Sequence, residues 1–267
     1  MPIIMFHYVK TNGNYYHYDL NLFEKFVSQN SENIVSLNDY ISCKDDNKYV
    51  LSFDDGTIDH FTNVFPILKK YNVTGVFSVC DNIFHKNILN IQKIHLLIER
   101  IGINDLYNEL TDILPRKICQ QYKNIYIDKE CFIKKMLQKI LPKNISCKIL
   151  NRIANQYKIN FKKQNLYLNK HQLREMQSLG NEFLYHTKNH LWLNEISYKK
   201  QLKEIKNIRY YIKKYKFLNV LSLPFGGYNN DTIQICEKLH IDKVLAISHN
   251  NIKRKTILTR VDCNSFK

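Results

Sequence analysis

Short apolar runs recur along the chain, most of them separated by segments with helical spacing. Ile3 to Phe6, Tyr49 to Phe53, Gly75 to Val79, Glu182 to Tyr185, Val220 to Leu223, Lys243 to Ile247 and Ile257 to Val261 each have the length of a strand. Between them, Leu22, Phe23, Phe26 and Val27 share one helical face. Leu202, Ile205, Ile208 and Ile212 form a second apolar stripe with lysines opposite. Asp231 is placed to cap a helix carrying Ile235, Cys236 and Leu239. Alternation of strand and helix predicts an α/β fold with a parallel sheet, open or closed into a barrel.

Residues 84–171 break the rhythm. Ile91, Ile94, Ile98 and Ile101 lie at helical spacing, and Gly102 follows as a stop signal. Phe132, Met136 and Ile140 form another stripe, ended by Pro142. This region reads as a helical insertion within a single domain spanning 1–267. The length suits one large domain, and 44% hydrophobic residues suffice for a substantial core.

The polar residues that follow the strand-like runs locate the chemistry. They are His7, Asp54 with Asp55, His186, Phe225-Gly226-Gly227 and His249. In parallel α/β folds active sites form at the C-terminal ends of strands, so these residues converge on one face. Asp54-Asp55-Gly56 presents two carboxylates on opposite sides of an extended backbone before a sharp turn. One of the pair is suited to a metal and the other to proton transfer. His186 and His190, four residues apart, add two imidazoles, and Asp, His and His together make a metal site with an open position. Trp192, the only tryptophan, fits either a sugar-stacking surface or the core.

The formal charge of +16 points to anionic partners: a phosphate-bearing substrate or an anionic membrane surface. The basic residues are spread from Lys10 to Lys267, as background composition would spread them, and no nucleic-acid motif accompanies them, so no nucleic-acid partner is expected. Seven cysteines, an odd number with no C-x-x-C pair, argue against a disulfide framework and fit a reducing compartment. The N-terminus lacks a basic n-region, and no stretch approaches the roughly 18 apolar residues of a membrane span. A cytoplasmic location, peripheral at most to the inner membrane face, is the expectation.

The motifs in their order resemble the polysaccharide deacetylase family, the fourth family of carbohydrate esterases with its NodB-homology domain. Leu51-Ser52-Phe53-Asp54-Asp55-Gly56 is similar to the family's T-F-D-D-G motif. His186-Thr187-Lys188-Asn189-His190 matches its H-[ST]-x-x-H motif. Leu221 to Tyr228, with Pro224-Phe225-Gly226, is similar to its third motif. The resemblance implies a distorted (β/α) barrel of about seven strands. It implies one divalent ion, with zinc the expected metal, on Asp55, His186 and His190, and Asp54 as general base. Two features depart from the family. The third motif's Arg is replaced by Ser222, and Arg260 either substitutes for it or is a surface residue at a strand end. The late L-x-H motif, which supplies a general acid, is matched by Met5-Phe6-His7 at the N-terminus, as in a permuted branch of the family, or by Ile247-Ser248-His249.

The expected activity is removal of an N-acetyl or N-formyl group from an amino sugar. The cytoplasmic reading favours a nucleotide- or lipid-linked precursor of a surface glycan. Asp54 would take a proton from the attacking water, and His7 would protonate the leaving amine. The backbone N–H of Phe225 would hold the oxyanion, since Pro224 has none. Two further readings keep the fold: an O-acetyl esterase or non-sugar amidohydrolase, and a glycan-binding protein without activity, which the missing Arg would permit.

Overall fold

The computed structural model describes residues 2–12, 17–42, 47–85, 87–247 and 256–266. His249, the alternative general acid, lies outside them. The described residues divide into two compact units, one comprising 2–12, 17–42, 47–85, 166–247 and 256–266, the other 87–165.

Seven parallel strands close the first unit into a barrel: β1 (Ile3–Phe6), β2 (Val50–Phe53), β3 (Val76–Val79), β4 (Glu182–Tyr185), β5 (Val220–Ser222), β6 (Lys243–Ile247) and β7 (Ile257–Asp262). Neighbours in sequence are neighbours in the barrel, and β7 pairs β1 with Ile3 opposite Arg260. The expected (β/α) barrel is thus the observed fold.

Side chains pointing alternately in and out sort the barrel into layers. Ile3, Val50, Val76, Leu184, Val220 and Leu245 fill one end of the interior as an apolar plug, with Leu258 partly buried among them. Two residues further along each strand come Met5, Ser52, Ser78, His186, Ser222, Ile247 and Arg260. Three of these seven are fully buried serines, and their small side chains leave room at mid-barrel for the long guanidinium of Arg260, which is itself 2% exposed. The interior therefore grades from aliphatic to polar towards the C-terminal ends of the strands. The outward faces are aromatic: Phe6, Phe53, Phe77 and Phe183 stack in series beneath the surrounding helices.

Two details differ from the sequence reading. The stripe from Leu202 to Ile212 is two helices, Tyr198–Ile205 and Ile208–Tyr215, and at the break between them the Asn207 side-chain amide donates to Asp81 at 2.9 Å. The helix Asn230–Lys238 is capped by Asn229, in a reciprocal box with Thr232, and Asp231 sits inside its first turn.

The second unit is helical: Asn90–Ile101, Ile103–Ile113, Arg116–Lys123, Lys129–Lys135 running on through a wider turn at Met136–Ile140, and Lys143–Gln156. Gly102, at φ 85°, ends the first helix in a conformation that L side chains rarely adopt. Ile94, Leu97, Leu106, Leu110, Phe132, Met136, Leu150 and Ile153 form a core of their own. This unit is narrower than the expected insertion of 84–171, and the helix Lys170–Ser178 belongs to the barrel unit.

Candidate active site

At the C-terminal mouth of the barrel β2 delivers Asp54 and Asp55, and β4 delivers His186. Asp54 N–H bonds the carbonyl of Phe6 at 3.0 Å, and His186 N–H that of Val79 at 2.9 Å, so each residue leaves its strand still tied to a neighbour. Among the described residues, four of the eight non-glycine residues with positive φ lie here: Asp55 at 75°, Thr187 at 64°, His190 at 55° and Phe225 at 57°. Such conformations cost of order 1–3 kcal/mol each and persist only where surrounding bonds impose them.

Those bonds are visible. Gly56 O and Leu166 O accept from Leu168 and Ile58 N–H at 3.0 and 2.9 Å, fixing the turn after the aspartates. Glu204, buried at 4% exposure, accepts from Asn189 N–H at 2.7 Å and from its side-chain amide at 2.6 Å. The Glu204 carbonyl accepts from Lys188 N–H at 3.0 Å and from Tyr185 Oη at 3.2 Å. Cys80 Sγ donates to His186 O at 2.8 Å. The loop between the two histidines is therefore held from outside by residues that carry no motif.

Asp55, His186 and His190 bring one donor atom each within 4.8 Å of one another. Asp55 Oδ1 lies 3.1 Å from His190 Nε2 and 3.7 Å from His186 Nε2. Two atoms bound tetrahedrally to one zinc ion at about 2.1 Å stand about 3.4 Å apart, so the spacing fits. His186 Nδ1 faces the Ser222 carbonyl at 3.0 Å. A carbonyl only accepts, so the proton is on Nδ1 and the lone pair of Nε2 points to the site. Burial, against the pull of Asp54 and Asp55, brings the His186 imidazole down to about 4, which keeps it neutral as a ligand must be. The donor set suits a divalent ion of zinc type.

Asp54 is set apart from this triad. Its Oδ1 accepts from Arg260 Nη1 at 2.7 Å and from Ser222 Oγ at 3.3 Å, while Oδ2 is 3.9 Å from His186 Nε2. Arg260 Nη1 also lies 3.3 Å from Ser52 Oγ. Burial pushes the Asp54 carboxyl up, but Arg260, His186 and His7 outweigh it and hold the group well below its ordinary value. The same holds for Asp55, where His190, His7 and His186 oppose burial.

His7, half-buried just beyond β1, is near enough for its charge to act on both carboxylates. Its carbonyl accepts from His60 Nε2 at 2.6 Å, and His60 is fully buried. Phe225 stacks flat on Trp192 at 4.3 Å between centroids and meets His190 edge-on at 4.6 Å. Pro224 and Gly226, its neighbours in the chain, are buried. The N–H groups of Gly226 and Gly227 bond Leu223 and Pro224, whereas that of Phe225 forms no bond among the described residues. A side chain at Gly226 would strike Ile247, which explains the glycine.

The structure thus brings together Asp54, Asp55, His186, His190, His7, Arg260, Phe225 and Trp192. Sequence reasoning missed Glu204, His60 and Cys80. His60 and Glu204 are a polar residue and a charge among buried positions, a signal visible only once burial is known.

Residues 144–244 match the polysaccharide deacetylase family model. No curated protein matches the sequence. Among solved structures, the Streptococcus pyogenes deacetylase PplD, in complex with acetate, superposes with a TM-score of 0.61 at 17% identity over 98% of this chain and 91% of that one. A de-N-acetylase from Aggregatibacter actinomycetemcomitans gives 0.59 at 17% over 97% and 93%. IcaB from Ammonifex degensii gives 0.57 at 13% over 97% and 90%. These identities carry the fold. The family match spans the second and third motifs, His186 to Tyr228, and bears out the polysaccharide deacetylase resemblance, and with it a hydrolase of the deacetylase class.

Proposed function

We propose that this protein is a metal-dependent de-N-acylase that removes an N-acetyl or N-formyl group from an amino sugar of a surface-glycan precursor or polysaccharide. The observation that carries this reading is the division of labour between adjacent carboxylates: Asp55 faces two imidazoles, Asp54 faces a buried arginine.

A divalent ion held by Asp55, His186 and His190 supplies Lewis acidity towards a carbonyl oxygen and a water. The remaining work falls to the chain. Asp54, kept ionised by Arg260, takes the proton of the attacking water, and Ser222 and Arg260 hold the Oδ1 edge so that Oδ2 faces the site. The N–H of Phe225, unbonded among the described residues, is assigned to the charge that develops on the acyl oxygen, its residue fixed by a left-handed turn and the stack on Trp192. Protonated His7 gives its proton to the departing amine nitrogen, which otherwise leaves poorly. The guanidinium of Arg260 beside Asp54 favours a catalytic protein over a binding protein that has lost the family's arginine. An amine leaving group, in need of a proton donor, favours amide over ester hydrolysis where His7 stands by.

The test is acetate or formate release from soluble N-acylated amino-sugar oligosaccharides by metal-loaded protein, compared with Asp54→Asn. The variant should keep its metal and lose about 10²- to 10⁴-fold in turnover. Turnover undiminished in the variant, or metal-loaded protein inert on every N-acyl sugar, would sink the proposal.

A further inference from the structure

Between residues 116 and 163 the chain carries 13 Lys and Arg against two acids, Asp128 and Glu130, while the remainder carries 27 against 22. Most of the positive excess therefore sits in the helical unit, although basic residues occur throughout. Glu130 is paired with Lys134 at 2.6 Å, and Asp128 caps the helix Lys129–Lys135, so both acids are engaged locally.

The same segment displays apolar side chains outward. The helix Arg116–Lys123 has no buried residue. Its C-terminal turn is closed by Ile125 and Tyr126 N–H bonding Tyr122 O at 3.1 and 2.9 Å. Tyr122 and Tyr126 stack nearly parallel, 6.2 Å apart, and lean on the helical core. This turn leaves Ile125 62% and Ile127 89% exposed. Single exposed hydrophobes are ordinary. Two isoleucines two residues apart on a defined tip, flanked by exposed Arg116, Lys117, Lys123 and Lys129, are a pattern.

We infer that the Tyr122–Ile127 turn is a membrane-docking tip that seats Ile125 and Ile127 in the headgroup layer of an anionic bilayer. The charge complementarity selects an anionic partner. The isoleucines select a lipid surface among anionic partners, because a hydrated polyanion offers no apolar phase to receive them. Tyrosines at the base of the tip suit the interfacial level, where one end of the ring is wet. Each basic side chain near such a surface adds attraction that salt screens.

This inference is independent of the hydrolytic reading, since vesicle binding needs no turnover. Co-sedimentation of the full chain with phosphatidylcholine vesicles, with and without phosphatidylglycerol, tests it. The protein should partition onto the anionic vesicles and little onto the neutral ones, and added salt should weaken binding. Ile125→Ser/Ile127→Ser should lower the partition about tenfold to a hundredfold. Its metal content and turnover on a soluble substrate should match those of the parent. Equal partition of parent and variant, or no partition of the parent, would overturn the inference. So would tight binding to soluble polyphosphate, unchanged in the variant and without any preference for vesicles, which would identify a polyanion surface instead.

Discussion

Replacing Arg260 by Met keeps an unbranched side chain of similar reach and removes the guanidinium 2.7 Å from Asp54 Oδ1. Both residues are 2% exposed, so little solvent screens the pair. Unit charges about 4 Å apart interact by about 4 kcal/mol at an effective dielectric of 20, near the upper end of the effect of an adjacent arginine, about one to three pH units on a carboxylate. Burial already pushes the Asp54 carboxyl up; without Arg260 only His186, His7 and the Ser222 hydroxyl oppose it. The acidic limb of the kcat/KM profile should therefore rise by about one to three pH units, with metal content unchanged. Stability has a definite sign as well. A carboxyl lowered by folding contributes stability above its unfolded value, about 3.9, and loses it as pH falls through the folded value. Arg260→Met should be less stable at neutral pH by about 3–5 kcal/mol, because it leaves a buried carboxylate without its partner. Asp54→Asn leaves the arginine stranded instead, while the double variant strands neither. Denaturant unfolding of all four proteins should show the double variant more stable than the sum of the single losses predicts. Additive losses together with an unmoved acidic limb would refute the coupling and return Arg260 to a packing role.

The triad predicts that His186→Ala/His190→Ala purifies with far less divalent metal than the parent, read by elemental analysis; equal content would exclude these ligands. For His7→Ala, turnover on amides should fall while metal stays, and substrates with good leaving groups should suffer less, since their departure needs no proton; equal losses would remove His7 as the acid. Glu204→Gln replaces one of the two acceptor oxygens that face Asn189 by a donor, so one of the Asn189 donors loses its partner and metal affinity should fall by about tenfold or more, as for other residues that orient ligands. Unchanged metal affinity would mean that the loop holds its left-handed turns without Glu204.

The barrel was legible because its strands are short, apolar and punctuated. Each of the seven runs ends where a polar residue or a turn begins, and the observed strands match them within a residue at each end. The two-helix break at Asn207 was not legible, since the apolar stripe passes through it and the side chain there bonds Asp81, 126 residues away. Among the site residues, those in contiguous motifs could be read from spacing, while those acting across the barrel could not. Glu204 looks like any charge on an amphipathic helix until its burial is known. Arg260 is the instructive middle case. Its strand alternates so that its neighbours Thr259 and Val261 face solvent and Arg260 faces the interior, but a strand of this composition does not by itself show which face is which. What distinguishes it is spread over three other strands: Ser52, Ser78 and Ser222 occupy the same interior layer as Arg260, where valine or leucine would fill a barrel of this size. Small residues at matching heights on several strands leave space for one long side chain from another, and a serine standing where the third motif has arginine is part of that space. The exchange of Ser222 and Arg260 is then one substitution in three dimensions: the guanidinium reaches Asp54 from β7, and Ser222 adds a hydroxyl to the same carboxylate oxygen.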